Sequence, residues 1–574
     1  MKRVYVNEQW CLGCHLCEYY CAFAGTNEKD MARALKDIKI NPLIKIEEKD
    51  GVSFAVSCRH CREPLCVKGC VTGALTISDG VIMINRDKCV SCYTCVLSCP
   101  YGAVSPSDEG AVQKCELCVK TVAGAPACVK GCPNGAIVFE ERDSGKKSAS
   151  QRTNFARTNV PSGNHMRYVI IGNSAAGIGA IEGIRQIDKQ GEITVITSEP
   201  YHTYSRPLIS YLLHGKVTEE GMKYRGDSFY AENNCNLMTD TIVTKINSSD
   251  KLVILNDGKT VPYDKLLISA GSSAFVPDLD GLASVKDKYT FMSLDDARRL
   301  DKSLDKHKRV LIIGAGLIGL KCAEGILKRV SRVTVLDLAP RILSSILDED
   351  GAALVQRHFE SKGVEFKLSR SAKGFEQNSA LLDDGERIEF DILVLAVGVR
   401  PNISLLKGIA ETDKGIIINE KSETSAADIY AAGDCTQAFD VSSGQSRIMA
   451  LLPNAYTQGE CAGINMAGGE KSFDKAIPMN AIGFFGLHMI TAGNYSGEVY
   501  SENEGSHYKR LFYSDNKLNG YILIGNVEKA GIYTSIIRDR TTLDTIDFPL
   551  ICEKPGLMAF TKEDRRIKLG GEII

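Results

Sequence analysis

Two stretches of the chain repeat one pattern of apolar and polar positions. RYVIIG, from Arg167, is a short β-branched run. AAGIGAIEGIRQI, from Ala175, places apolar residues at helical spacing, and EITVITSE, ending at Glu199, is a second β-branched run. The pattern predicts strand, helix, strand, hence a βαβ unit. Farther along, RVLIIGAGLIGLKCAEGI and RVTVLD, ending at Asp337, repeat it. VLIIGAGLIGL from Val310 falls short of the ~18 apolar residues that cross a bilayer. The opening MKRVYVNEQW has no apolar run behind its basic residues, so no export signal is expected.

Each predicted unit carries a glycine turn between strand and helix. The first, Gly172-Asn173-Ser174-Ala175-Ala176-Gly177, is GxGxxG with serine in the middle place. Serine is small enough for a pyrophosphate to approach the backbone at the helix N-terminus. The second keeps Gly314, Gly316 and Gly319, with Leu317 and Ile318 between the last two. Glu199 and Asp337 close the following strands, where an acid can bind a ribose hydroxyl; a solvated strand end is the alternative for either. One such turn is a weak signal. Two, each flanked by strand and helix and each ending in an acid, make a strong one.

At 574 residues the chain should hold several domains, since one core rarely grows past ~250–300 residues. A net charge of −2 gives no electrostatic case for nucleic acid or an anionic membrane. The expectation is a soluble, cytoplasmic protein with no membrane span. Residues 143–166 have a linker composition, and Met166, opening MRYVIIGNSAAG, reads as a fusion point.

Cysteine changes the picture most. Of 21 cysteines, sixteen lie between Cys11 and Cys132, and only Cys235, Cys322, Cys435, Cys461 and Cys552 follow. Without an export signal, such density points to metal ligation rather than disulfides. The sixteen form four groups: Cys11, Cys14, Cys17 and Cys21; Cys58, Cys61, Cys66 and Cys70; Cys89, Cys92, Cys95 and Cys99; Cys115, Cys118, Cys128 and Cys132. The first and third have C-x2-C-x2-C-x3-C spacing, the signature of 4Fe–4S clusters in which the fourth thiolate reaches a second cluster. Paired CxxC also builds zinc sites, the alternative reading.

These spacings, with CRHC, CVSCYTCVLSCPYGAV and KCELC, resemble the four-cluster ferredoxin subunits of carbon monoxide dehydrogenase, formate dehydrogenase and dimethyl sulfoxide reductase systems over about residues 1–140. The resemblance implies an α+β ferredoxin-like domain, 1–142, with four 4Fe–4S clusters whose motifs exchange their last cysteines. Cys11, Cys14 and Cys17 would share a cluster with Cys132, and Cys115, Cys118 and Cys128 with Cys21. Cys58, Cys61 and Cys66 would join Cys99, and Cys89, Cys92 and Cys95 would join Cys70. Ala22 and Val71 stand where a turn-forming proline often follows.

In the remainder, IYAAGDC (Ala432, Gly433, Asp434), VLAVGVRPN (Gly398, Pro401), LISAG (Ala270, Gly271) and YSRPLIS resemble two-dinucleotide flavoprotein reductases of the NADH:rubredoxin oxidoreductase and NADH oxidase branch. The resemblance covers about residues 167–560. It implies an α/β, Rossmann-like FAD domain (167–282 and 403–468), an NAD domain (283–402) and an α+β C-terminal interface domain (469–574). FAD would take Gly172, Ser174, Ala175, Ala176, Gly177, Glu199, Ala270, Gly271 and Gly433. Asp434 would accept from the ribityl chain, and Arg206 and Pro207 would stand beside the flavin. NAD(H) would take Gly314, Gly316, Leu317, Ile318, Gly319, Asp337 and Gly398.

Three departures matter. No CxxxxC stands near the flavin, and Leu212, Leu213 and His214 fill the region where NADH oxidases place a reactive cysteine. Lys321 replaces a glutamate that many relatives carry near the nicotinamide, and His214 reads as a surface histidine. The flavin, which would carry the hydride chemistry without a catalytic side chain, has no thiol to reduce. The reading is electron transfer between clusters and NAD(H) through FAD, with carbon monoxide dehydrogenase as the expected partner and hydrogenase or formate dehydrogenase next. An NADH oxidase with a docking module is the other class. Direction and homo-oligomerisation stay open.

Overall fold

The computed structural model describes all residues except 27, 29, 35, 37–40, 108, 109, 123, 143–164 and 571–574, so the linker composition at 143–166 falls almost wholly outside the described residues. The two βαβ patterns each seed a five-stranded sheet. In the first, Ile429–Ala431, Lys265–Ile268, Arg167–Ile171, Glu192–Ile196 and Cys235–Met238 lie side by side in that order, all parallel. In the second the order is Lys288–Thr290, Ile392–Leu395, Arg309–Ile313, Arg332–Asp337 and Val364–Leu368, again parallel. In both, the strand that opens the unit is central. Chain order reverses beside it, which is where an open parallel sheet leaves a crevice at its carboxyl ends. The first sheet is completed by Ile429–Ala431, a strand that arrives only after the whole second unit, so the second unit is an insertion in the first.

Glycine decides how the first unit closes. Helix Ala175–Ile187 runs against Leu452–Met466 at backbone contact. A Cβ at Gly179 would lie 2.3 Å from the Tyr456 carbonyl oxygen, and one at Gly459 would lie 1.9 Å from that of Ala176.

The cysteine-rich segment is small in its elements. Three two-stranded antiparallel sheets pair Arg3–Val6 with Ile137–Glu140, Ile44–Lys49 with Val52–Ser57, and Leu75–Ser78 with Val81–Ile84. First strand meets last, which closes the segment on itself. Its apolar residues do not form a separate interior. Phe54, Leu97 and Val104 belong to one buried cluster with Tyr521, Ile536 and Leu557 of the C-terminal domain. That domain is a five-stranded antiparallel sheet, Met479–Phe484, Leu487–Gly493, Lys517–Ile524, His507–Ser514 and Glu498–Glu504, followed by helix Ala530–Arg538. A Cβ at Gly531 on this helix would lie 2.1 Å from the carbonyl oxygen of Cys99. Charged pairs rim the contact: Lys529 to Glu47 at 2.8 Å and Arg565 to Glu8 at 2.8 Å.

A second contact ties the cysteine-rich segment to the first nucleotide domain. Lys68 Nζ donates to Glu460 Oε2 at 2.7 Å, Lys471 Nζ to the same oxygen at 2.6 Å, and Gln186 Nε2 to Oε1 at 3.0 Å. The Glu460 side chain is 3% exposed. Burial alone would raise its pKa, but the charges of Lys68 and Lys471 outweigh burial and hold it below the ordinary carboxylate value. A depressed carboxylate stabilises the fold above its unfolded pKa, and that contribution is lost as pH falls through the lower folded value. Glu460→Ala strands two lysines and should cost roughly 3 kcal/mol at neutral pH. Chemical unfolding should show this loss, and the gap to wild type should narrow as pH falls below the ordinary value of 4.5.

Candidate functional site

The two glycine turns are built alike. Gly172 and Gly314 both have φ of 113°, a region costly for any residue with a Cβ. A Cβ there would lie 2.1 Å from Ser269 O and 2.2 Å from Ala396 O, backbone atoms of the neighbouring strand end. Gly177 and Gly319 let each helix press on its own turn, where a Cβ would lie 2.3 Å from Gly172 O and 1.9 Å from Gly314 O. Neither Ser174 nor Gly316 caps its helix through a side chain. The first amides of both helices are therefore left for an anionic ligand.

The predicted acids are neither free nor simply solvated. Glu199 accepts from Tyr204 Oη at 2.8 Å and Arg206 Nη2 at 2.6 Å. Asp337 accepts from the amides of Ala315 at 2.6 Å and Ala339 at 2.7 Å, which fixes its carboxylate at the turn beside Gly314. Arg341 turns back to the carbonyls of Leu347 and Ser344. Asp434 is pushed up by burial, opposed by the Arg206 charge and by Ser272 Oγ at 3.5 Å. Gly433 donates its amide to Gln458 Oε1 at 2.6 Å, while Asn402 binds the carbonyls of Ala270 and Gly271 at 2.8 and 3.0 Å. Gly398 receives Phe275 N on its carbonyl, and Pro207 lies within the single turn Arg206–Leu208. Leu317 and Ile318 open the second helix and are half-buried.

The loop from Glu199 to Arg206 holds His202 Nε2, Thr203 Oγ1 and Ser205 Oγ, all buried and without a hydrogen-bond partner. Buried polar atoms are rarely left so, and a ligand that supplied partners would satisfy them. The residues present fit an FAD. His214 corrects the sequence expectation. It is half-buried rather than on the surface, its Nδ1 is without a partner, and burial lowers its pKa.

The thiols gather across motifs. Cys70, Cys89, Cys92 and Cys95, from two different motifs, line one cavity. Burial pushes Cys17 up to about 12, and Glu18, Cys11 and Cys132 add to the shift. Cys99 rises to about 12 through burial and then Cys58, while Cys66 rises through burial and the charges of Cys99, Cys58 and Cys61. Cys128 rises through burial, Cys115, Cys21 and Cys118. Each of these neighbourhoods joins cysteines of two different motifs. Among the described residues no three His, Cys, Asp or Glu converge as one metal ion requires. Buried thiols that repel one another as thiolates call for a cationic core that binds them deprotonated. His60, fully buried between Cys58 and Cys61, accepts the Ile82 amide on Nδ1, which leaves its hydrogen on Nε2, and that nitrogen has no partner. The residues fit 4Fe–4S clusters, whose sulfurs accept such bonds.

The sets also stand in a row. Cys95 is within charge range of Cys66, Cys115 of Cys58, and Cys128 of Cys17. One end of the row is Cys14, which is exposed. The other, the Cys70, Cys89, Cys92 and Cys95 set, abuts both nucleotide domains. Tyr211 feels the charges of Cys92 and Cys89, Tyr224 that of Cys70, and Lys321 that of Cys92. Tyr93, between two of the cysteines, lies 4.1 Å from the ring of His488. Sequence reasoning missed Tyr211, Tyr224, Tyr93 and His488. Only Lys321 left a signal, as a lone cation in the first turns of an apolar helix.

Comparison with known proteins agrees with this construction. Residues 166–459 match the pyridine nucleotide-disulphide oxidoreductase family, and residues 50–142 match the 4Fe-4S dicluster domain. The chain is 31% identical over 393 residues to the NADH-dependent phenylglyoxylate dehydrogenase subunit epsilon of Aromatoleum evansii, covering 66% of this chain and 93% of that protein. It is 34% identical over 326 residues to an NADH oxidase of Methanocaldococcus jannaschii, covering 54% and 71%. A covalent putidaredoxin reductase–putidaredoxin complex shares the fold, with a TM-score of 0.65 at 24% identity over 72% of this chain and all of that one. No described helix is long and apolar enough to cross a membrane. With both glycine turns, the inserted second unit and the family match over half its length, the chain belongs to the pyridine nucleotide-disulphide oxidoreductases and carries a 4Fe-4S dicluster domain ahead of the flavoprotein.

Proposed function

We propose that this NAD(H)-dependent flavin oxidoreductase exchanges electrons between four 4Fe–4S clusters and NAD(H), as the nucleotide-facing part of a larger dehydrogenase. One observation carries the reading: the Cys70, Cys89, Cys92 and Cys95 set sits at the meeting point of the two nucleotide domains, beside Tyr211, Tyr224 and Lys321. When bound, FAD supplies the exchange between a two-electron hydride and one-electron carriers. The chain's own residues do the holding. The Gly172 turn and Asp434 seat the flavin nucleotide, the Gly314 turn and Asp337 seat the nicotinamide nucleotide, and the packed C-terminal domain keeps the nearest thiol set in place.

An NADH oxidase with a docking module fits less well. A docking module needs no shared core and no buried Lys68–Glu460 pair. Carbon monoxide dehydrogenase enters as partner through the cysteine spacing alone. The phenylglyoxylate dehydrogenase subunit is, by its name, one subunit of an NADH-dependent dehydrogenase, which supports a partner of that general kind.

Anaerobically prepared protein should contain about sixteen iron and sixteen acid-labile sulfide per chain, four per set of thiolates. Zinc, or iron near eight, would remove half the wire. NADH added without oxygen should bleach the flavin and then partly reduce the clusters. Gly177→Val places a side chain against Gly172 O and should abolish FAD retention at unchanged iron content. If that variant, free of FAD, still passed NADH electrons to its clusters, the reading would be wrong.

Asp337 is held by two amides at the place where a 2′-phosphate would meet its charge. NADH should therefore exceed NADPH in kcat/KM by roughly tenfold or more, the effect of about 1.4 kcal/mol. Asp337→Ala should close most of that gap by weakening NADH, and steady-state kinetics with both nucleotides decides it.

A further inference from the structure

Two cations are buried beside the Cys58, Cys61, Cys66 and Cys99 set without any acid to balance them. Lys114 is 2% exposed and Arg59 is 8% exposed. Lys114 Nζ donates to the carbonyls of Ile82 and Cys115 at 2.5 and 2.6 Å. Arg59 donates to the carbonyls of Val4 and Leu569, both at 2.7 Å, and lies over the Tyr5 ring. Among the described residues neither has a carboxylate partner. Carbonyls satisfy their hydrogens but not their charge, and a buried cation left uncompensated costs several kcal/mol. Groups that can become negative lie in range of both: Cys66 and Cys115 of Lys114, Tyr101, Tyr5, Cys61 and Cys58 of Arg59, with the more exposed Arg3 also near Cys61.

The two end sets differ. At the outer end, Cys17 has Glu18 in range, which disfavours added negative charge, and so does Cys21 of the neighbouring set. At the flavoprotein end, Lys321 is near Cys92 but is neutralised by an ion pair with Glu324.

Resting on the proposed electron-transfer reading, we infer that Lys114 and Arg59 are positioning charges that make the cluster held by Cys58, Cys61, Cys66 and Cys99 the first in the row to accept an electron. NADH, the reductant, would give FAD a hydride with its C–H bond broken. One of the two electrons would go to this cluster and the other to a second cluster in the row, with no bond made or broken at either, and the proton would go to solvent. An electron added between two uncompensated cations is stabilised in a low-dielectric interior, whereas one beside Glu18 is not. The row therefore has its resting place inside, shielded from solvent and one step from the flavoprotein end. An electron arriving alone can wait there for a second, as a two-electron acceptor requires.

The test is a redox titration of the holoprotein followed by electron paramagnetic resonance. Lys114→Gln removes the charge but keeps donors for the two carbonyls. It should lower the midpoint of the first-reduced cluster by at least 59 mV, a tenfold shift for one electron, at full iron content and with the last-reduced cluster unmoved. Lys114→Arg should restore the wild-type value. Where Lys114→Gln loses iron, Arg59→Gln, which still reaches one carbonyl, should give a shift of the same sign. Unchanged midpoints at full iron content would overturn the inference. A wild-type chain without iron would instead overturn the electron-transfer reading beneath it.

Discussion

A segment built around sixteen cysteines, fifteen of them buried or half-buried, has little room for an apolar core. Its helices run from four to nine residues and its sheets have two strands each. Isolated two-stranded sheets are marginal in water. The missing interior comes from elsewhere: Phe54 and Leu97 bury their rings and methyls among Tyr521, Ile536 and Leu557. This shared core is the constraint on which the rest depends. It places helix Thr94–Ser98 on helix Ala530–Arg538 so closely that Gly531 can carry no side chain against Cys99. Cys95, on that short helix, is thereby fixed in relation to the C-terminal domain.

That arrangement recasts the absent flavin-side cysteine. The chain belongs to a family named for a pyridine nucleotide and a disulphide, yet no cysteine stands in its YSRPLISYLLHG segment. Tyr211, in the middle of that segment, instead approaches Cys92 and Cys89 of the other domain. In the proposed reading, a thiol set brought in from outside takes the place of a thiol carried within. The same substitution explains a lysine at 321. It reaches the Gly483 carbonyl and Glu324 and lies over the Tyr211 ring at 4.7 Å, so it serves a three-domain junction as well as a nucleotide helix.

Much of this was legible in the sequence, and the reason is local. A glycine turn followed by a helix is set by residues within one βαβ unit, and Gly172, Gly177, Gly314 and Gly319 all occupy backbone positions that tolerate no Cβ. Thiol spacing within a motif is equally local. The junction was not legible, because Tyr93 meets His488, and Lys68 meets Glu460, across hundreds of residues with no periodic or motif signal at either end. The unpaired state of Lys114 was hidden for a different reason. The lysine that opens KCELC carries no signal of its own in the sequence, and only the structure shows that it is buried with no carboxylate partner among the described residues.

These two kinds of hidden feature have one physical origin. Iron–sulfur clusters are anionic bodies that fill space, so a chain evolved around them leaves both cavities and charges that its own atoms do not complete. The cavity lined by Cys70, Cys89, Cys92 and Cys95 is an example of the first, and Lys114, Arg59 and the His60 Nε2 hydrogen are examples of the second. Unsatisfied groups elsewhere in a protein mark error or strain. Here two of them, Ser57 Oγ and His60 Nε2, adjoin thiols, and three more lie in the Glu199–Arg206 loop, where a bound group would satisfy them. The same incompleteness that makes the segment lean on its neighbours for a core therefore also differentiates its thiols, since Lys114 and Arg59 stand beside some of them and Glu18 beside others.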